Sequence, residues 1–217
     1  MRTVFLSFIY LLLMRLFLRV IIGVKYFNRQ ALYKHKKFII VSNHNSHLDT
    51  MALMSALSFG SVGRTCPVAA GDYFGTSKFK TFCTRFFVNA LLIPRTPKAG
   101  EVSSIHLMTN ALDKGNSLII FPEGTRGEPD KMQAFKRGIG LLLKKRKDVP
   151  YIPVFMKGLG NVLPKGRFLL VPFESDIYIG EPCYAISDDI DGIVSEIERN
   201  VHHLSRIYYE KLENNAL

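Results

Sequence analysis

At 217 residues the chain is the size of one domain with room for a short appendage. Apolar residues make up 47%, enough for a full core, which excludes a disordered or low-complexity protein. Lys and Arg outnumber Asp and Glu by 29 to 18, and the resulting net charge of +11 calls for an anionic partner, either nucleic acid or a membrane surface with a phosphorylated substrate.

The first element is apolar. Thr3 to Met14 carries no charge, and the pattern resumes through Val24 with only Arg15 and Arg19 interrupting. The uncharged run is shorter than the roughly 20 residues a spanning helix needs, and Arg15 and Arg19 would be costly at mid-membrane. Four residues apart, they share one helix face, which predicts a helix lying in or dipping into the interface with both arginines snorkelling toward phosphate head groups. A buried core helix is a competing account. A signal peptide is another, although Gly23-Val24-Lys25-Tyr26-Phe27 lacks a small-residue cleavage pattern.

Phe38 to Val41 reads as a buried strand, Ser42 to Ser46 as a turn, and residues 47–59 as a helix. Strands are expected at Pro67–Ala70 and Ala90–Ile93, on either side of a stretch where Phe74, Phe79, Phe82, Phe86 and Phe87 interleave with Lys78, Lys80 and Arg85. A helix follows over residues 101–114, closed by Gly115, then a strand at Ser117–Phe121 broken by Pro122. A second helix starts after Gly138, strands are expected at Tyr151–Phe155 and Phe168–Val171, and a helix of clear 3.6 periodicity runs from about Ile190 to Glu213. The alternation predicts an α/β fold, a layered mixed and largely parallel sheet flanked by helices, with an N-terminal membrane-associated helix. We divide the chain into that N-terminal segment, residues 1–30, and a domain over residues 31–217.

Ligands of such folds collect at strand ends. At the first, Ser46 is suited to cap the helix and Asp49 has capping-box spacing from it. A strand–loop–helix joint also lets Asp49 fold back on His44, fix its tautomer and support it as a general base. On the residues alone a plain helix cap beside two loop histidines accounts for the same pattern. A metal site is a third account, although His44, His47 and Asp49 do not match H-E-x-x-H. At the second strand end Glu123, Gly124, Thr125 and Arg126 form a tight loop whose arginine suits phosphate, or else a surface turn with an internal Glu–Arg pair; Phe135-Lys136-Arg137-Gly138 adds charge downstream. The three cysteines, Cys66, Cys83 and Cys183, form no C-x-x-C, which removes zinc fingers and thioredoxin-type motifs and predicts a reducing, intracellular setting. G-x-S-x-G, P-loop and G-x-G-x-x-G motifs are also missing from the sequence.

Together, Asn43-His44-Asn45-Ser46-His47-Leu48-Asp49 and Phe121-Pro122-Glu123-Gly124-Thr125-Arg126 resemble the N-H-x-x-x-x-D and F-P-E-G-T-R blocks of the glycerolipid acyltransferases, in that family's order. A looser block falls on Asn89 to Arg95, where Asn89 replaces a glycine and Leu92 a phenylalanine, and Val149 to Val154 matches V-P-x-I-P-V. The resemblance covers about residues 38–180. It implies transfer of a fatty acyl group from acyl-CoA or acyl-carrier protein to a glycerolipid hydroxyl, most directly that of 1-acylglycerol-3-phosphate, giving phosphatidic acid. Other acceptors, or a non-catalytic lipid-binding relative, are alternatives. By that resemblance His44 is the base and Asp49 its orienting partner, with no covalent acyl-enzyme. Arg126 and Arg95 hold the acceptor phosphate, and Glu123, Gly124 and Thr125 shape the loop. It implies no metal and no cofactor beyond the acyl donor as co-substrate. The expected partners are an anionic membrane surface, a lysophospholipid and an acyl-thioester carrier, without nucleic acid, at the cytoplasmic face.

Overall fold

The computed structural model of the protein describes residues 2–71, 86, 88–94, 102–129, 131–163 and 171–215. Strands β1 (Val24–Phe27), β2 (Ile39–Ser42), β3 (Thr65–Ala70), β4 (Leu91–Ile93), β5 (Ser117–Ile120), β6 (Tyr151–Lys157) and β7 (Ser175–Ile179) form one sheet in the order β1-β7-β6-β2-β5-β3-β4. All neighbouring strands run parallel except β6 and β7, so the sheet is mixed and largely parallel, as expected. Its central strands are continuous apolar runs because both faces are covered. Ile40, Ile119 and Ile152 point into one core, whereas Ile39, Val41, Leu118 and Ile120 point into the other.

Helices α1 (residues 2–22) and α2 (Leu48–Ala56) cover the first face. Helices α3 (Ser104–Asp113), α4 (Arg137–Lys145) and α5 (Ile190–Asn215) cover the second. Helix α3 starts where Ser103 accepts a hydrogen bond from the His106 amide at 3.2 Å, and Gly115, at φ +79°, turns the chain after it. Helix α5 buries Ile193, Val194, Ile197, Val201 and Leu204 along the predicted stripe. It comes close to α4 at Gly140, where a Cβ would lie 2.6 Å from the Ile190 carbonyl oxygen.

Two strands differ from expectation. The sheet includes a strand, β7, that the apolar pattern does not predict. Of the strand expected at Phe168–Val171, residues 168–170 lie outside the described residues and Val171 is irregular, and β7 begins at Ser175. Its polar start, Ser175-Asp176, hid it, because burial at β7 is set by flanking β1 and β6 rather than by a long apolar run. Strand β1 comes from the end of the N-terminal segment, where Val24 pairs with Ser175 and Tyr26 with Ile177, so the sheet draws on residues before position 30. The Phe-rich stretch from Phe74 to Phe87 lies outside the described residues apart from Phe86.

Helix α1 has two apolar faces. Leu6, Tyr10, Leu18 and Ile22 are buried in the core shared with α2 and the sheet. Val4, Phe5, Phe8, Leu12, Leu13, Leu16, Val20 and Ile21 stand exposed. By length and composition Thr3–Ile22 is apolar enough to cross a membrane. Arg15 corrects the expectation of a snorkelling pair. It turns inward and donates through Nε and Nη2 to the Ser55 carbonyl at 2.9 and 2.6 Å, and through Nη2 to that of Leu57 at 3.0 Å. The terminal carbonyls of α2 have no intrahelical donor, and a cation there also meets the negative end of the helix dipole, which outweighs release to solvent. Arg19 remains exposed.

Candidate active site at the ends of the central strands

The sheet register explains why motifs far apart in sequence meet. Strands β2 and β5 are parallel neighbours, with Val41 opposite Ile120, so the segments after them leave the same edge side by side. The His44 ring stacks on Phe121 with centroids 4.0 Å apart and planes 16° from parallel. Strand β6, on the other side of β2, anchors the loop. Asn43 accepts from the Met156 amide and donates to the Met156 carbonyl, both at 2.8 Å, continuing the β2–β6 ladder with a side chain. Asn45 reaches across to the second loop, donating to the Lys131 carbonyl at 3.2 Å and to that of Glu128.

Asp49 sits in the first turn of α2 and is 1% exposed. Its Oδ2 accepts from the amides of Asn45 at 2.7 Å and Ser46 at 2.8 Å, and faces His44 Nδ1 at 2.9 Å. Ser46 Oγ in turn accepts from the Leu48 amide at 3.3 Å, so Ser46 and Asp49 together satisfy the amides at the start of α2. The cap and the orienting carboxylate are therefore one residue, and the two accounts of Asp49 are compatible. An oxygen that accepts two amide protons is a carboxylate oxygen, so Nδ1 carries the imidazole proton and donates it. The neutral ring then holds its lone pair on Nε2, which among the described residues has no hydrogen-bond partner. His44 is half-buried and reachable from solvent.

The second loop is stitched to the first. Glu123, 1% exposed, accepts the His44 amide on Oε1 at 3.2 Å, and Gly127 donates its amide to the His44 carbonyl at 2.9 Å. Glu123 also takes the Gln133 amide, while its Oε2 is buried without a partner among the described residues. Burial pushes its carboxyl from 4.5 up to about 7 despite those two amides. It is a brace under His44, not half of a surface Glu–Arg pair. Gly124 takes φ +75°, a conformation that favours glycine, and the Lys136 side chain lies over it. Thr125 is exposed and Arg126 half-buried. His47 lies exposed beside the site, its pKa lowered first by partial burial and then by the charge of Arg126. Arg95 lies outside the described residues. Asn89, where the resemblance expects glycine, has φ +58° and donates to the Thr65 carbonyl at 2.8 Å; asparagine is the side chain that best replaces glycine there.

Several contributors were not assigned from sequence. The supporting role of Asn43, the Phe121 stack, the Gln133 amide and the position of Lys136 depend on which strands are neighbours. Asn43 and Phe121 stand in the two motif blocks and Lys136 in the Phe135-Lys136-Arg137-Gly138 run, but the sequence does not show what they touch.

A family model described as Acyltransferase matches residues 23–157. Among curated relatives, a 1-acyl-sn-glycerol-3-phosphate acyltransferase of Limnanthes douglasii is 27% identical over 82% of this chain and 59% of its own length. The human 1-acyl-sn-glycerol-3-phosphate acyltransferase alpha is 28% identical over 80% of this chain and 59% of its own. The chain thus spans about three fifths of the length of these relatives. A crystal structure of the 1-acyl-sn-glycerophosphate acyltransferase PlsC from Thermotoga maritima shares the fold, with a TM-score of 0.68 at 22% identity, over 85% of this chain and 72% of that one. With the family model covering more than half its length, and both strand-end loops inside the matched region, the chain belongs to the acyltransferase family.

Proposed function

We propose that the protein is an O-acyltransferase that moves a fatty acyl group from acyl-CoA or acyl-carrier protein to the free hydroxyl of 1-acylglycerol-3-phosphate. The observation that carries this is the His44–Asp49 pair, with Nε2 unpartnered among the described residues and the Arg126 loop tied to the His44 backbone. Nε2 takes the hydroxyl proton as the oxygen attacks the thioester carbonyl. Asp49 holds the imidazolium that forms. The tetrahedral intermediate then expels the thiolate, which recovers that proton from His44 and leaves as free thiol. The acyl group passes directly to the acceptor without a covalent acyl-enzyme, Arg126 meets the acceptor's phosphate with a planar fork of donors, and no metal takes part.

We further propose membrane association through the exposed face of α1, which lies along the cytoplasmic leaflet because its opposite face is committed to the protein core. Net positive charge favours anionic lipid.

Purified protein given acyl-CoA and lysophosphatidate should release free thiol at a rate unaffected by a strong chelator. No release with any chain length, carrier or lysolipid would overturn the proposal. Sedimentation with anionic vesicles tests the second part. Leu12→Asp with Leu16→Asp should reduce binding tenfold or more, from the roughly 1.5–3 kcal/mol each buried leucine contributes. Unchanged binding would place the contact elsewhere.

A further inference from the structure

Lys136 stands out among the basic side chains near the site. Its neighbours are committed. Lys131 pairs with Glu128 at 2.6 Å, Arg137 pairs with Asp191 at 2.8 Å, and Phe135 is buried, its amide bonded to Glu198 at 2.7 Å. Lys136 itself is fixed at its backbone, where its amide donates to the Pro122 carbonyl at 3.0 Å. Its side chain then runs along Gly124. A Cβ on that glycine would lie 2.6 Å from Nζ, 3.1 Å from Cε and 3.2 Å from Cδ. Among the described residues its ammonium has no carboxylate within ion-pair distance, and the same holds for Arg126 two residues beyond Gly124.

Two cations without acidic partners among the described residues thus flank Gly124: Arg126 on the loop bonded to both the amide and the carbonyl of His44, and Lys136 at the start of α4, tied to that loop through Pro122. Several other lysines lie against carboxylates, as Lys25 does with Glu174 and Lys34 with Glu181. Glu123, the one carboxylate inside the loop, is turned inward beneath His44. The glycine has a second use here, since its missing side chain leaves the track that Lys136 occupies.

We infer that Lys136 is a phosphate-binding residue of the active site, closing over Gly124 to meet, together with Arg126, a phosphate group of the substrate. The inference rests on the acyltransferase reading for which substrate brings the phosphate. Both the acceptor's phosphomonoester and the phosphates of an acyl-CoA donor have the required chemistry. A lysine contributes a point charge on a flexible stem and complements the planar arginine fork.

Steady-state thiol release by the full chain, wild type against Lys136→Gln and Lys136→Arg, tests this with each substrate varied in turn. Lys136→Gln should raise KM for lysophosphatidate about tenfold, the effect of one charge-assisted contact at a half-open site, and Lys136→Arg should recover most of it. A rise confined to the acyl-CoA KM supports the phosphate contact and assigns it to the donor. Unchanged KM values for both substrates overturn the inference. Titration of lysophosphatidate below its micelle concentration into His44→Ala, with and without Lys136→Gln, keeps the two proposals apart. A tenfold loss of affinity supports the phosphate site even if wild type releases no thiol, and equal affinities overturn it.

Discussion

The two ends of α2 are built from the same deficit and put to opposite uses. Each end of a helix leaves backbone groups without partners. At the N-terminal end the deficit is met by Asp49, whose Oδ2 takes two amides and still faces His44, leaving the far side of the imidazole open. At the C-terminal end it is met by cations and phenols. Arg15 donates to Ser55 and Leu57, Arg29 to Ala56 at 2.7 Å, and the Tyr33 hydroxyl to Ala56 at 3.1 Å. One end keeps an uncommitted lone pair, while the other commits its cations to carbonyls. On the proposed function, the difference separates a site that does chemistry from one that only holds.

The sharpest way to break this contrast is His44→Ala. It should lower turnover by roughly 100- to 10,000-fold while thermal unfolding changes little, because a half-buried ring and its stack on Phe121 are lost and Asp49, losing the imidazole, keeps the Asn45 and Ser46 amides. A large loss of stability with partial activity would mean that His44 is structural. Next comes Glu123. Its folded pKa is raised from 4.5 to about 7, so the carboxyl favours the native state when protonated, and that contribution fades as pH climbs through 7. Glu123→Gln should therefore gain stability relative to wild type between pH 5 and pH 8, by up to about 3 kcal/mol, read from unfolding midpoints across pH. A difference independent of pH would show that the brace is ionised throughout. The smallest effect belongs to the far end. Arg15→Ala should cost about 2 kcal/mol and lower Tm by about 5 °C, with turnover per folded molecule within about twofold. A tenfold loss of turnover would show that the two ends act as one.

How much could be read from sequence follows the same division. His44, Asp49 and the Glu123–Arg126 loop were legible because each motif is contiguous and sits where an apolar run stops. Strands β2 and β5 were equally clear, being apolar on both faces. What was not legible depends on neighbours. Strand β7 exists because β1 and β6 flank it, and β1 was hidden at the end of an apolar segment that reads as a membrane element. The inward turn of Arg15 could not be inferred without knowing that the end of α2 lies beneath it. The orientation of Glu123 was likewise unreadable, since a surface loop and an inward brace share one sequence.

The inward Arg15 has a consequence for how the greasy side of α1 arises. In the linear chain that arginine interrupts the apolar run, so the nascent segment is a mediocre candidate for insertion. Once the carbonyls of Ser55 and Leu57 capture it, the outward surface from Val4 to Leu16 is cleared of charge. If this face meets lipid as proposed, the affinity owes its lack of charge to folding, because the arginine that breaks the run in sequence is held inside the folded molecule.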